Sequence, residues 1–290
     1  MDLAVLHHHI TPALYALFIW WFSTGVILYL DGLPRSTFRW SMAGASVLLG
    51  VALWGLYATR NDMSWAGAFC AFSSALLAWA WIETAFLLGY VVGPQSARRP
   101  VSPSAGTLRR ATQAIHALLW HEVAILTLAV IVYALVRTGT NDIGLWTFLV
   151  LWWMRASAKL NLFFGVRNLN EGLLPAHLAF LSGFMKRRSI NVLFPISISV
   201  STIIFALLMA AALAPDATPY QSAGYTFLAT MMGLAILEHW FMVLPLPAEK
   251  LWDWGLRSRE ANANQRSDET PPNVLPHKTC GSLPLKGSYD

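Results

Sequence analysis

Charged residues are scarce in this sequence. Only 12% of the 290 residues are Asp, Glu, Lys or Arg, while 56% are hydrophobic, and a soluble globular protein has about twice that charged share. A soluble enzyme, a disordered protein and a nucleic-acid-binding domain are therefore excluded. The net charge of +5 does not restore nucleic acid as a partner, because most basic residues lie in loops between apolar runs, where they set orientation in a membrane. The composition predicts an integral membrane protein.

Cysteine is nearly absent, and so are the common catalytic motifs. Cys70 lies in an apolar run and Cys280 in a polar tail, and this difference in environment excludes a disulfide framework. The N-terminus lacks the basic region and the cleavage site of a signal peptide, so we expect the first apolar run to remain attached. No hydrolase, kinase, P-loop or dinucleotide-binding motif occurs.

Seven apolar stretches are long enough to cross a bilayer as helices, which takes about 20 residues each. They cover residues 12–30, 38–58, 64–92, 113–136, 143–164, 190–214 and 221–245. None has the alternating pattern of a barrel strand, so we predict an all-α, polytopic membrane helix bundle of about seven transmembrane helices over residues 1–256. The polar, proline-containing segment 257–290 is expected to be a disordered cytoplasmic tail.

Lys and Arg are distributed unequally between the two sets of loops. One set, together with the C-terminal tail, carries Arg35, Arg39, Arg98, Arg99, Arg109, Arg110, Arg167, Lys186, Arg187, Arg188, Lys250, Arg257 and Arg259. The other set carries only Arg60 and Arg137. The positive-inside rule places the C-terminus in the cytoplasm and the N-terminus outside it. An odd number of spans requires the same opposition.

The loop of residues 165–189 is too long and too patterned for a plain connection. Pro175 is placed to open a short helix, and a basic cluster follows it. The apolar residues at helical spacing are Leu174, Leu178, Leu181 and Met185. We predict an amphipathic interfacial cytoplasmic helix near 174–188, which serves either as an orientation anchor or as a docking surface.

Several ionisable residues lie inside the apolar runs, where each costs about 2.5–3.5 kcal/mol on insertion scales. We expect one buried polar cluster formed by Glu83, His121, Glu122, Arg155, Lys159, Glu238 and His239. Helix rise places the acids and bases at similar depths, and Arg155 and Lys159, four residues apart, share a helix face. The cluster is open to three interpretations: an ion-pair network that holds the helices together, a carboxylate metal site, or a proton path.

Two of these interpretations have arguments against them. A di-iron bundle uses paired Glu-x-x-His sequences, which are absent, and two bases would repel a metal cation. A proton-coupled transporter lacks support from an inverted repeat or from matched broken helices. His116, His121 and His239 are also candidate axial ligands for the magnesium of a chlorin, with hydrogen bonding inside the bundle as the alternative.

Six segments together resemble one known family. They are IWWFSTGVILYL (19–30), WIETAFLLG (81–89), HALLWHE (116–122), KLNLFFGVRNLNEGLLPAHLAFL (159–181), MKRRSINVLFPISI (185–198) and ILEHWFMVLPLPAEKLWDWGL (236–256). In this order, and with the polar K-L-N…G-V-R-N-L-N-E core, the chain resembles the PuhE family of photosynthetic complex assembly proteins from purple phototrophic bacteria. The resemblance covers nearly the whole membrane portion up to about residue 256.

The resemblance implies a multi-pass protein of the bacterial inner membrane, cytoplasmic or intracytoplasmic, with its N-terminus in the periplasm. The family is associated with the operon of the reaction-centre H subunit, with assembly of the reaction centre and light-harvesting complex, and with modulation of bacteriochlorophyll production. No catalytic residues come with it. The implied partners are membrane lipid, photosynthetic assembly factors, reaction-centre or light-harvesting subunits and pigment-synthesis enzymes, without nucleic acid. Bacteriochlorophyll or a precursor is the candidate cofactor.

Two alternatives from other functional classes remain open. One is a membrane-bound oxidoreductase, or an accessory subunit of tetrapyrrole synthesis, with a Glu/His metal site. The other is a transporter of a pigment precursor, or a proton-coupled transporter, that uses the same cluster.

A polar patch lies where the fifth predicted span meets its cytoplasmic loop. It consists of Asn161, Arg167, Asn168, Asn170 and Glu171. Since bacteriochlorophyll is made and inserted from this side, we predict a cytoplasmic recognition face for a pigment-synthesis enzyme or a nascent subunit. Its amides would form directional hydrogen bonds, and the Arg would bind a carboxylate or carbonyl. The alternative is helix-end capping and hydrogen bonding within the loop.

Overall fold

The computed structural model of the chain describes residues 6–94 and 106–269. Its long helices are α1 (Thr11–Asp31), α2 (Phe38–Ala58), α3 (Trp65–Leu87), α4 (Thr107–Val136), α5 (Ile143–Phe164), α6 (Leu193–Ala212), α7 (Pro219–Phe241) and α8 (Asp253–Glu269). A π-helical turn covers Leu6–Ile10, and 3-10 helices cover Arg35–Thr37, Glu171–Leu173, Ala176–Phe184 and Ala248–Trp252. These two ranges contain no β-strand, which confirms the all-α prediction.

Within the described part of the chain, five helices are long and apolar enough to cross a bilayer. They are His7–Asp31, Arg35–Ala58, Trp65–Leu87, Thr107–Val136 and Leu193–Ala212. Large apolar side chains project outward from them: Trp40 and Trp54 in α2 are 69% and 70% exposed, and Leu207 in α6 is 65% exposed. So much exposed apolar surface requires an apolar surrounding, which is the pattern of a membrane protein. That α5 and α7 also cross the bilayer stays a prediction.

Two helix boundaries differ by five residues or more from the ends of the apolar runs. α3 ends at Leu87, five residues before the predicted end, because Gly89 has a φ of +87° that an L side chain rarely adopts. The Gly89 N–H donates to the Phe86 carbonyl at 2.9 Å and closes the last turn. α4 begins at Thr107, six residues before its apolar run, since a helix can extend beyond the apolar part that hydropathy detects.

The core is centred on α3, which packs with α7 and α5 in one cluster of buried residues and with α2, α4 and α5 in another. The rings of Phe72 and Phe227 stack with centroids 4.2 Å apart at 7°. α7 approaches α5 closely at Gly224, where a Cβ atom would collide with the Ile143 side chain. α1, α2, α4 and α6 pack around α3, α5 and α7.

One buried amide joins the loops at one end of the bundle. Asn141 Nδ2 donates to the carbonyl oxygens of Thr59, Asp62 and Gly67 at 3.1, 3.1 and 3.2 Å. Its Oδ1 accepts from the Tyr220 hydroxyl at 3.0 Å. This side chain therefore connects the α2–α3 loop, the α4–α5 loop and the start of α7. We refer to this end as the Asn141 end.

The opposite end, where α1, α3, α5 and α7 finish, is closed by an ion pair. Arg259 Nε and Nη2 donate to the two carboxylate oxygens of Asp31 at 2.8 and 2.9 Å, and the Asp31 side chain is fully buried. Arg259 also donates to the carbonyls of Gly172 and Leu173 at 2.6 and 2.9 Å. We call this the basic end, because most of the described loop Lys and Arg residues lie there.

The tail prediction is wrong for residues 257–269, which are helical in α8. Polar composition predicts disorder, but composition does not register a partner such as Asp31 for Arg259. Trp254 also lies against Gly25 of α1, so closely that a Cβ atom at Gly25 would collide with the indole. Residues 270–290 lie outside the described residues.

The predicted interfacial helix near 174–188 contains a 3-10 helix, Ala176–Phe184. Its apolar residues Leu178, Leu181 and Phe184 are buried and form one cluster with Phe86 of α3 and Ala117 of α4. This face therefore packs on protein. Contact of the segment with lipid stays a prediction.

Replacing Arg259 tests how α8 is held. Arg259→Ala leaves the Asp31 carboxylate buried without its counter-ion, a change that costs about 3–5 kcal/mol, so α8 is expected to detach. Amide hydrogen exchange across residues 253–262 should then become at least about tenfold faster than in the unchanged protein. Arg257→Ala, at an exposed position of the same helix, should leave the exchange rates unchanged. Equal rates in the two variants would contradict this role.

Candidate functional site

A cavity of about 390 Å³ lies between α1, α3, α5 and α7. Its wall runs from Leu76 to Leu87 in α3 and from Val150 to Phe163 in α5, which is about 16–20 Å along the helices at 1.5 Å per residue. It extends toward the basic end, where Ala248 and the loop after α5 form its border. Its volume falls within the range of small-molecule binding sites.

The cavity wall is mostly apolar and rich in aromatic rings. The rings belong to Trp20, Trp79, Phe86, Phe163, Phe184, Phe241 and Trp252. Four charged side chains interrupt this wall: Glu83, Arg155, Lys159 and Glu238. An apolar pocket with a few convergent polar groups is the usual composition of a ligand site.

Two ion pairs connect α5 to its neighbours. Arg155 Nη2 lies 2.7 Å from Glu83 Oε2 of α3, and Lys159 Nζ lies 2.6 Å from Glu122 Oε1 of α4. Glu83 and Lys159 are 13% and 21% exposed, whereas their partners Arg155 and Glu122 are 40% and 41% exposed, so each pair joins a shielded group to a more accessible one. The two bases lie one turn apart on α5 and bind carboxylates on different helices, which makes the predicted cluster a bridge across three helices.

Glu238 of α7 differs from the other two acids of the cluster. Its Oε1 accepts a hydrogen bond from Trp20 Nε1 at 3.1 Å, and it forms no ion pair with any residue that the structure describes. It is exposed and lines the cavity, so its accessible surface faces the cavity. The site therefore presents one carboxylate that no base contacts directly, although the positive charge of Arg155 acts on it from a distance.

Neither histidine of the predicted cluster forms a hydrogen bond with the two ion pairs. His239 Nε2 is 2.9 Å from Ser157 Oγ, and its Nδ1 is 2.8 Å from the Ala235 carbonyl, so both ring nitrogens are engaged. His121 is fully buried and packs on Phe86 with ring centroids 4.4 Å apart. Neither nitrogen of His121 has a hydrogen-bond partner within the described chain.

The candidate pigment ligands and the cavity are separate. His116 is exposed, and neither it nor His121 or His239 lines the cavity. A pigment magnesium inside the cavity therefore has no histidine ligand beside it in this conformation.

The predicted Glu/His metal site is not assembled. In residues 6–94 and 106–269, no three His, Cys, Asp or Glu side chains lie close enough to hold a metal ion. Adjacent positions on a helix point about 100° apart, so Glu238 and His239 diverge.

The predicted recognition face is divided by the structure. Asn161 is fully buried, where its Nδ2 donates to Ser197 Oγ at 3.1 Å, so its assignment to a surface was wrong. Asn168 Nδ2 donates to the carbonyls of Phe241 and Leu244, which are orphan acceptors at the end of α7. These two amides therefore perform the capping and loop bonding that the sequence left as the alternative.

The other three residues of the recognition face border an open cleft at the basic end. Arg167 and Glu171 are exposed, Glu171 pairs with Arg187 at 3.0 Å, and all of them line the cleft with Glu249. Asn170, with a left-handed φ of 49°, lines both the cleft and the larger cavity. Recognition by this reduced set stays a prediction.

Sequence reasoning missed several residues that shape the site. Trp20 and Trp252 line the cavity, but in a sequence a Trp at bilayer depth reads only as apolar. Asp31 is an acidic residue at the end of the first apolar run, and its position could have suggested a basic partner at the basic end. No sequence signal linked it to Arg259, which is 228 residues away.

Removing one partner of the Arg155–Glu83 pair should destabilise the protein more than removing both partners. Arg155→Met leaves Glu83 without a counter-ion in a largely buried position, so the free energy of unfolding should fall. We expect a loss of about 2–3 kcal/mol, less than for a fully buried pair, because Arg155 is partly open to the cavity. The double variant Glu83→Gln/Arg155→Met should recover most of that loss. Denaturation in mild detergent measures both, with Arg137→Met, at an exposed loop position, as the control. A double variant as unstable as Arg155→Met would contradict the pairing.

Comparison with known proteins covers almost the whole described bundle. Residues 6–263 match a family described as "Protein of unknown function (DUF3623)". A relative from Rhodobacter capsulatus, described as "Uncharacterized 30.4 kDa protein in puhA 5'region", is 40% identical over 266 residues, which is 90% of this chain and 96% of the relative. No solved structure matches the chain. The family match spans most of the chain and includes every helix that borders the cavity. The chain therefore belongs to the DUF3623 family.

Proposed function

We propose that this protein is an assembly or regulatory factor of the PuhE family in the inner membrane of a phototrophic bacterium. It supports formation of the reaction centre and light-harvesting complex, and production or insertion of bacteriochlorophyll, by binding and not by catalysis. The R. capsulatus relative supports this context, because its description places it in the 5′ region of puhA, a reaction-centre gene. The six segments of resemblance lie within the range that matches the family.

In this proposal α1 to α7 all cross the membrane, with the N-terminus in the periplasm and the C-terminus in the cytoplasm. The charged residues of α5 and α7, Arg155, Lys159 and Glu238, line the internal cavity, so neither helix has to present them to lipid. The concentration of Lys and Arg at the basic end supports a cytoplasmic location for that end.

The cavity is the single observation that carries a binding function. Protein interiors are close-packed, and a bundle built for stability alone fills such a space with side chains. Here about 390 Å³ stays open beside a carboxylate that has no basic partner. The cavity reaches the basic end through Asn170, next to the cleft that Arg167 and Glu171 line. We propose that a mostly apolar small molecule occupies the cavity and that a biosynthetic or nascent partner binds at the cleft.

Deleting the gene in a phototrophic host should lower the near-infrared absorption of reaction-centre and light-harvesting complexes at least about twofold per membrane protein. The unchanged gene should restore the absorption. Ala80→Phe, which places a phenyl ring in the cavity wall, should fail to restore it at equal protein level, because it reduces the volume open to a ligand. Arg257→Ala, remote from the cavity wall, should restore it. Full absorption in the deletion strain would refute the proposal.

The purified protein distinguishes what is bound. A stoichiometric chlorin absorption band after extraction in mild detergent identifies pigment as the cavity ligand, whereas a colourless protein that retains a reaction-centre subunit identifies a partner. Stoichiometric metal with turnover would favour the oxidoreductase, and substrate-dependent proton flux in vesicles would favour the transporter.

A further inference from the structure

We infer that the central cavity binds an elongated, mostly apolar molecule whose head group donates a hydrogen bond, through a hydroxyl or an amine, to Glu238. The inference rests on the proposed binding function and specifies the ligand chemistry of its site. The structural feature behind it is the combination of a long apolar cavity with one exposed carboxylate that lacks a base.

The charged side chains lie partway along the cavity and leave an apolar compartment beyond them. Met231 lies seven residues deeper than Glu238 in α7, and Leu76 lies seven residues deeper than Glu83 in α3. At 1.5 Å per residue this compartment continues for about 10 Å toward the Asn141 end. Its depth suits an apolar tail, while the head group of the same molecule lies at the level of the charges.

Charge balance selects the head group. Arg155 and Lys159 are already neutralised by carboxylates at 2.7 and 2.6 Å, whereas Glu238 accepts only the Trp20 N–H. When the three acids (Glu83, Glu122 and Glu238) and the two bases (Arg155 and Lys159) are all ionised, together they carry one net negative charge. A carboxylate or phosphate head would add a second unmatched negative charge in an apolar surrounding, which is costly.

A donor head instead supplies what Glu238 lacks. Hydrogen bonds to a charged acceptor are stronger than hydrogen bonds between neutral groups. The indoles of Trp20 and Trp252 lie beside this position, with ring centroids 5.4 Å apart, and aromatic faces attract a cation. An amine is therefore expected to bind at least as tightly as a hydroxyl, and both more tightly than a carboxylate.

Three probes with one tail test the head group directly. Octylamine, octanol and octanoic acid, whose chains match the length of the apolar compartment, are titrated into the purified full-length protein in mild detergent, and native mass spectrometry counts the bound molecules. The amine and the alcohol should each bind one per chain, about tenfold or more tighter than the acid. Comparison within one tail cancels the contributions of detergent and of apolar burial.

Two variants locate the binding. Glu238→Gln, which keeps the size of the side chain, should weaken binding of the amine about tenfold, so that the amine and the acid bind with similar affinity. Glu260→Gln, the same chemical change at an exposed position of α8, should change nothing. Ala80→Phe should weaken all three probes, because its ring occupies the cavity, and a thermal melt confirms that each variant is folded.

Acid binding as tight as amine binding, no binding of any probe, or a preference that survives Glu238→Gln would each overturn the inference. So would probes unaffected by Ala80→Phe, because they would then lie outside the cavity. These outcomes are separate from the deletion experiment. Normal photosynthetic complexes without the protein would refute the proposed function and leave the head-group preference of the cavity intact.

Discussion

A charged side chain inside an apolar helix bundle needs a group of opposite charge beside it, and the two bases of α5 therefore require carboxylates on the neighbouring helices. Arg155 and Lys159 lie one turn apart on that helix, and their carboxylates come from α3 and α4. Each pair sets the rotation of a neighbouring helix, since a carboxylate turned outward would meet lipid while its base stayed unpaired. The third acid, Glu238, has no base and is the group that the folded bundle leaves open to the cavity.

The two ends of the bundle are held by different chemistry. At the Asn141 end, the hydrogen bonds of one buried side chain tie the α2–α3 loop and the α4–α5 loop to the start of α7. At the basic end, the ion pair between Asp31 and Arg259 holds α8 against α1. The cavity lies toward this second end, where Trp252, immediately before α8, forms part of its wall. The ordered C-terminal segment thereby contributes to the site as well as to stability.

The features that could be predicted from the sequence are those that depend on neighbouring residues along the chain. Apolar run length predicted the helical class, and opposite charges at similar depths predicted a polar cluster, but which acid pairs with which base, Glu83 with Arg155 and Glu122 with Lys159, came only from the structure. The direction of a side chain around its helix was harder to foresee, and His239 turned to Ser157 instead of joining its neighbour Glu238. Asn161 is polar in sequence but buried in the fold, because packing between helices decides exposure. A cavity is unfilled volume, and no residue pattern encodes it.

Cryo-electron microscopy of the protein, isolated from its phototrophic host into lipid nanodiscs, shows directly whether the space between α1, α3, α5 and α7 holds a ligand. We expect elongated non-protein density in the cavity, with its polar end about 2.6–3.2 Å from the Glu238 carboxylate. A bundle in which side chains have closed the cavity and Glu238 pairs with a base of the same chain would contradict this expectation.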